Sequence, residues 1–267
     1  MRIIILGQGV ILVLAMSLAW WFQLRWRNAG WVDVFWTFAT GVAAIAGALW
    51  PLPEQDTYLP RQIVVALLAA VWSIRLGTHL RHRVLTRPED VRYAGFRRDW
   101  GERFQSRLFW FLQIQAAAAW PLAISVGIAA RNPKPGVTVF DCLALVVIAI
   151  AILGEATADR QLARFVHDPR NAGGVCGEGL WAWSRHPNYF FEFVGWCAWP
   201  LFALDLTWSW FWLSLPAPVL MYWLLVHVSG IPPLEQAMLA SRGDAWRAYQ
   251  SRTSAFFPLP PRREANA

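Results

Sequence analysis

The densest chemistry in the chain lies in the run SRHPNYFFE at residues 184–192. Pro187 lacks a backbone N–H and cannot continue a helix, so a helix stops at His186 and restarts at Asn188, leaving free donors beside Arg185 and His186. An anion placed there would meet a helix N-terminus and a guanidinium together. Asn188 and Glu192 are four residues apart and line one side of the restarted helix. Spacing alone therefore predicts the mouth of a site for an anionic cofactor. Upstream, Glu155 and Asp159 are also four apart, and two carboxylates on one helical face can hold ribose hydroxyls, an amide or a metal. A third stripe, Arg75, His79 and either His82 or Arg83, would present two cations and an imidazole to a phosphate-bearing ligand, or to lipid phosphates at a basic helix end.

Other chemistries lack their residues. Cys142, Cys176 and Cys197 have no paired spacing, and no pair of histidines four apart falls on a helix with a third ligand, so no metal site is expected. No glycine-rich dinucleotide fingerprint follows a strand and no P-loop occurs. The glycines at 173–179 read as a turn before a helix.

The elements that position these residues follow from composition. Of 267 residues 57% are apolar and only 15% charged, too few for an ordinary soluble domain. Nineteen Trp and sixteen Phe suit membrane interfaces and apolar pockets. Spanning hydrocarbon takes roughly 20 apolar residues of helix, and seven windows approach that length: 3–24, 31–50, 61–80, 107–130, 137–158, 190–204 and 208–228. These predict an all-α integral membrane protein of about seven transmembrane helices, a single membrane domain over 1–267. The first window has no Ala-x-Ala-like cleavage site and reads as a retained span. With an outside N-terminus, nineteen basic residues fall in the inner segments (25–27, 81–107, 160–185 and 242–263) against four outside, which predicts a cytoplasmic C-terminus. Charged groups inside spans are expensive and call for a partner or a task. Asp33, Arg75, His79, Glu155, Asp159, Glu192 and His227 are of this kind, while Asp141, near an outer span end, reads as an internal salt bridge or a snorkelling end. The net charge of +7 needs no nucleic acid, since orientation and cofactor phosphates account for it.

The motif GLW at 179–181 with SRHPNY at 184–189 and Glu192, the preceding EATADRQL at 155–162, and YQSRTSAFFP at 249–258 resemble the membrane steroid 5-alpha-reductase family, in particular its bacterial reductase-like branch. WVDVFW at 31–36, WSIRL at 72–76 and EDVRY at 89–93 extend the likeness over nearly the whole chain. Arg-His-Pro-x-Tyr by itself is shared with isoprenylcysteine carboxyl methyltransferases and phospholipid methyltransferases. The resemblance implies a seven-helix bundle that binds NADPH from the cytoplasm and admits an apolar substrate from the lipid. It implies reduction of the carbon–carbon double bond of an enone such as a 3-oxo-4-ene steroid, by hydride transfer to the beta carbon with acid-assisted polarisation of the carbonyl. By this likeness Asn188, Glu192 and Asp159 match cofactor-binding positions, and Arg75 matches the family's span-three arginine. Arg185, His186, Arg83 and Arg164 are the candidate phosphate partners, and His79, Tyr189, His227 and Glu235 complete the cofactor-side set. The family's span-two Gln-Glu pair has no clear copy, and Trp72 stands where its span-three Tyr would be. The catalytic assignment therefore falls to Asp33 as carbonyl-side acid, its protonated form favoured by burial, with Tyr93 as the phenol.

The alternative is a membrane methyltransferase using S-adenosylmethionine on a lipid or prenylated substrate, with SGIPPLE at 229–235 supplying a carboxylate to the cofactor's amine; one Glu there fits either enzyme. The cationic inner segments favour NADPH over a positively charged cofactor. A transporter or lipid-binding protein comes third, because neither inverted repeats nor broken central helices are evident. Membrane lipids are the surroundings, no obligate protein partner is inferred, and the bacterial likeness points to an inner membrane.

Overall fold

The computed structural model of the protein describes residues 1–51, 58–86 and 88–262. Arg87 and Arg263, counted above among the inner basic residues, lie outside them. The described residues form ten α-helices: α1 (Arg2–Trp26), α2 (Trp31–Leu49), α3 (Leu59–Thr86), α4 (Val91–Trp100), α5 (Phe104–Ala130), α6 (Val139–His167), α7 (Pro187–Phe202), α8 (Pro216–Trp223), α9 (Ile231–Arg242) and α10 (Asp244–Arg252). Among these residues the sole strand-like pairing is an isolated bridge between Ser184 and Ser254.

Six stretches among the described residues are long and apolar enough to cross a membrane: Arg2–Trp26, Trp31–Leu49, Leu59–Thr86, Arg92–Ala130, Val139–His167 and Ser209–Arg242. The protein is an integral membrane protein. Each of the seven sequence windows falls on helix, but α7 has only 16 residues. At 1.5 Å per residue it rises about 24 Å, short of a hydrocarbon layer of about 30 Å. The last window is composite: a 3₁₀ segment (Ser209–Ser214), α8, and a π-helical turn (Leu224–Val228) that leads into α9.

The packing divides into two compact units. The first comprises Met1–Asp141 with Trp199–Ala217. Here α2 is the central helix, packed against α1, α3 and α5. Its buried positions are Val32 and Val34 and a run of small residues, among them Ala39, Thr40, Gly41, Ala43, Ala44, Gly47 and Ala48, which let neighbouring backbones come close. A Cβ on Gly41 would sit 2.2 Å from Ser73 Oγ and 2.4 Å from Ser73 Cβ of α3. In the other direction Gly77 of α3 receives the ring of Phe38. Gln8 of α1 fits over Gly47 and donates through Nε2 to Ala43 O (3.1 Å) and Ala123 O (2.8 Å), so one amide ties α1, α2 and α5.

Buried cations at one end of this unit are spent on carbonyls. Arg61 pairs with Asp141 through Nε–Oδ1 (2.8 Å) and Nη2–Oδ2 (2.9 Å), and donates to the carbonyls of Asn132, Lys134 and Gly136. Asp141 is thus half of an internal pair, closed by Thr138 N and Oγ1 (2.7 and 2.8 Å) at the start of α6. Arg131 donates to the carbonyls of Gly47 and Trp50, which end α2.

The second unit comprises Cys142–Ala198 with Pro218–Ala267. It holds most of α6, α7 and α8, then α9 and α10. Gly154 of α6 lets the ring of Phe191 approach, since a Cβ there would lie 2.4 Å from it.

The tight contact of Gly41 with Ser73 has a measurable consequence. Gly41→Ala places a methyl against a β-carbon that cannot swing away, so unfolding of the purified protein should show a loss of about 1–3 kcal/mol. Gly41→Ala combined with Ser73→Gly should recover most of it.

Candidate functional site

Two polar clusters emerge, one in each unit. In the second unit α6 presents Glu155 and Asp159, and α7 presents Asn188 and Glu192. Pro187 occupies the first position of α7, where a missing N–H costs nothing. Asn188 Nδ2 donates to Asp159 Oδ1 (3.3 Å), while its Oδ1 accepts from Tyr189 N (3.1 Å). One turn on, Glu192 accepts from Trp196 Nε1 (2.8 Å). Glu155 and Glu192 are both buried. This cluster is rich in acceptors. It suits hydroxyls, an amide NH₂ or a cationic centre.

The segment before α7 is strapped along the end of α6. Trp181 Nε1 donates to Ala158 O (3.0 Å) and Leu180 N to Gln161 Oε1 (3.0 Å). Gly179, with φ +61° and a would-be Cβ 2.4 Å from Gln161, admits no other residue easily. The segment 253–259 holds the opposite side. Arg185 N donates to Ser254 O (2.8 Å), Ser184 Oγ to Phe256 O (2.8 Å), and Leu259 N to Trp183 O (3.0 Å).

This arrangement corrects the expected role of Arg185 and His186. Both turn inward to Glu235 of α9 rather than outward to a phosphate. Arg185 Nε lies 2.7 Å and His186 Nε2 3.1 Å from Glu235 Oε1, and Gln250 Nε2 donates to Oε2 (2.8 Å). Arg185 Nη1 also donates to Gln250 O and Thr253 O (3.2 and 2.5 Å). The physical reason is burial: Arg185 and His186 are at most 9% exposed, and cations so placed need a carboxylate and carbonyls of their own. Glu235, expected to face a cofactor, is taken up by the same three side chains. Burial lowers the His186 pKa below the ordinary histidine value; the Glu235 hydrogen bond opposes this and the Arg185 charge reinforces it. His186 is therefore neutral at pH 7, with Nε2–H donating to Glu235, and its ring stacks on Tyr189 at 5.6 Å. Arg164 is exposed near the end of α6, and His227 is exposed in the π-helical turn with its ring 5.8 Å from that of Tyr222.

The first unit holds the other cluster. Tyr93 of α4 is only 1% exposed and donates to Asp33 Oδ1 (2.9 Å), while Arg92 Nη2 donates to Asp33 Oδ2 (2.6 Å). Arg92 Nε reaches Asp90 Oδ1 (2.9 Å), and Arg83 Nη2 reaches Asp90 Oδ2 (2.5 Å). The two residues expected to be catalytic are therefore each other's partners. Asp33, expected as the carbonyl-side acid, accepts on both oxygens and is engaged within the chain by Tyr93 and Arg92. The sequence reading missed Arg92 and Asp90, although Asp90 stands at the N-cap of α4 and accepts from Arg92 N, a pattern visible as Asp before Val-Arg-Tyr. Burial raises the Asp90 carboxyl's pKa, but the bonds and charge of Arg92, with Arg83 behind them, reverse this and hold it below the ordinary carboxylate value. Arg83, expected at a phosphate, serves this pair. Arg75 and His79 lie on α3 one turn apart, Arg75 partly buried and His79 exposed. Among the described residues no three His, Cys, Asp or Glu are grouped closely enough to hold a metal ion.

A polytopic helical membrane protein with acidic and amide groups gathered on α6 and α7 is the class defined by this fold. Within it, the chain belongs to the DUF1295 family of proteins of unknown function, whose match runs over residues 19–253 and takes in both clusters. No curated protein and no solved structure matches the chain.

Glu235→Gln should destabilise the protein by about 3 kcal/mol or more, because it strands the buried Arg185 charge. His186 carries a sign of its own. Its folded pKa lies below that of an unfolded histidine, about 6.5. Its contribution is thus present above that pH and lost as pH falls towards the folded value. The unfolding midpoint should drop between pH 7.5 and 5.5, and less steeply in His186→Gln.

Proposed function

We propose that this protein is a membrane-embedded, NADPH-dependent reductase of an apolar enone such as a 3-oxo-4-ene steroid. The carrying observation is the Asp159–Asn188 hydrogen bond, with Glu192 one turn further along α7, inside the run that resembles the steroid 5-alpha-reductase family. Membership of DUF1295, a family associated with reductase-like membrane proteins of that kind, supports it. In this reading Asp159 and Asn188 hold ribose hydroxyls or the carboxamide of the nicotinamide, and exposed Arg164 and Arg160 of α6 take the phosphates. Bound NADPH supplies the hydride. Glu192, fixed by Trp196, and Tyr189, fixed by His186, shape the wall. Asp33 with Arg92 and Tyr93 holds α4 to α2. The reading retains an outside N-terminus, a cytoplasmic C-terminus, seven crossings with α7 as the short one, and a bacterial inner membrane.

A second reading has its own observation. The α6–α7 cluster is made of carboxylates and one amide, and Arg185 and His186 are neutralised by Glu235. Such a set also suits the positive charge of S-adenosylmethionine, which would make the protein a methyltransferase of a lipid or prenylated substrate.

Thermal unfolding of the purified protein with NADPH, NADH or S-adenosylmethionine separates the two. The reductase reading expects stabilisation by NADPH, reduced about tenfold or more in apparent affinity by Asn188→Ala and by Asp159→Asn, the loss of one good hydrogen bond to a charged group. Stabilisation by S-adenosylmethionine alone would replace it with the methyltransferase.

A further inference from the structure

A cavity of about 550 Å³ in the first unit, lined by Gln23, Leu24, Arg27, Arg97 and Gln105, has a chemistry that neither polar cluster uses. It opens where α1 ends. Three observations there point to a ligand. First, Gln23 is 1% exposed; its Nε2 donates to Gln105 Oε1 (2.7 Å), but its Oε1 is buried with no hydrogen-bond partner. A buried acceptor in that state calls for a donor. Second, Arg27 has φ +50°, the single non-glycine residue with positive φ among the described residues. The position is the C-cap of α1, where glycine or asparagine is the usual solution, so an arginine there is held against its backbone preference. Third, Arg97 lines the same cavity over the ring of Phe104 (4.3 Å to its centroid) and shares its charge with Glu89 (2.9 Å). Two guanidiniums against one carboxylate leave the cavity cationic.

We infer that this cavity binds a phosphoglycerol headgroup, with the phosphate on Arg27 and Arg97 and a glycerol hydroxyl donating to Gln23 Oε1. Guanidiniums match phosphate oxygens, and a hydroxyl supplies the missing donor. The source of the headgroup is membrane lipid. Leu24 lines the opening, and Trp21 and Trp26 on the same last turns of α1 are 58% and 62% exposed. Exposed tryptophans at the end of an apolar helix mark the headgroup level of a bilayer. A phosphocholine headgroup offers the phosphate but no hydroxyl for Gln23 Oε1, and it brings a quaternary cation to a cavity that is already cationic.

The test titrates detergent-purified protein with phosphatidylglycerol, phosphatidylcholine and sn-glycerol 3-phosphate while following the unfolding midpoint. Phosphatidylglycerol should raise the midpoint at concentrations where phosphatidylcholine does nothing. Arg27→Gly should leave the lipid-free midpoint at least as high, since glycine suits the backbone there, yet weaken the response about tenfold or more through loss of a charge-assisted contact. Gln23→Leu should narrow the preference for phosphatidylglycerol over phosphatidylcholine. An equal response to the two lipids, or an unchanged affinity in Arg27→Gly, overturns the site. Saturation by sn-glycerol 3-phosphate as effective as that by the lipid overturns the membrane as its source.

Discussion

A polar group carried into hydrocarbon must bring its partner with it, and this constraint organises both units. Arg61 meets Asp141 and three carbonyls, and Arg131 meets the last carbonyls of α2. Arg185 meets Glu235 and two more carbonyls. In each case a guanidinium serves as a cap, spreading its donors over backbone that would otherwise end without water. The same constraint explains why glycines sit where they do. Gly41, Gly47 and Gly77 bring helices close enough for Ser73, Gln8 and Phe38 to reach across, and a buried amide such as Gln8 can then bridge two neighbouring helices.

The spans were legible because a membrane helix announces itself by length and hydropathy alone. Each window falls on helix, and Pro187 begins α7 as an N-terminal proline should. What could not be read was how the composite stretch from Ser209 to Arg242 changes from 3₁₀ to α to π, because those changes depend on packing rather than on residue type. The pairing of Asp159 with Asn188 was half legible. Each helix showed its own four-residue stripe, but nothing in either stripe told that α6 and α7 would face each other there.

Charge was where reading by type misled. Arg185 and His186 stand beside a helix start, which in isolation makes an anion site. Glu235, fifty residues away from Arg185, occupies that role within the chain itself. A carboxylate so distant cannot be assigned from local spacing, so the ligand and the internal partner look the same in sequence. Asp33 illustrates the converse. A lone acid in an apolar helix reads as a protonated group, yet Arg92 and Tyr93 from α4 supply it with two donors.

The strap on the segment before α7 bears on how the chain is made. Ser184 hydrogen-bonds to Phe256, a residue synthesised 72 positions later, and Trp183 and Arg185 to Leu259 and Ser254. In the order of synthesis the run SRHPN therefore precedes the segment that holds it. The strap can close only once the residues through Leu259 have been made, so fastening this loop is a late step in the assembly of the unit.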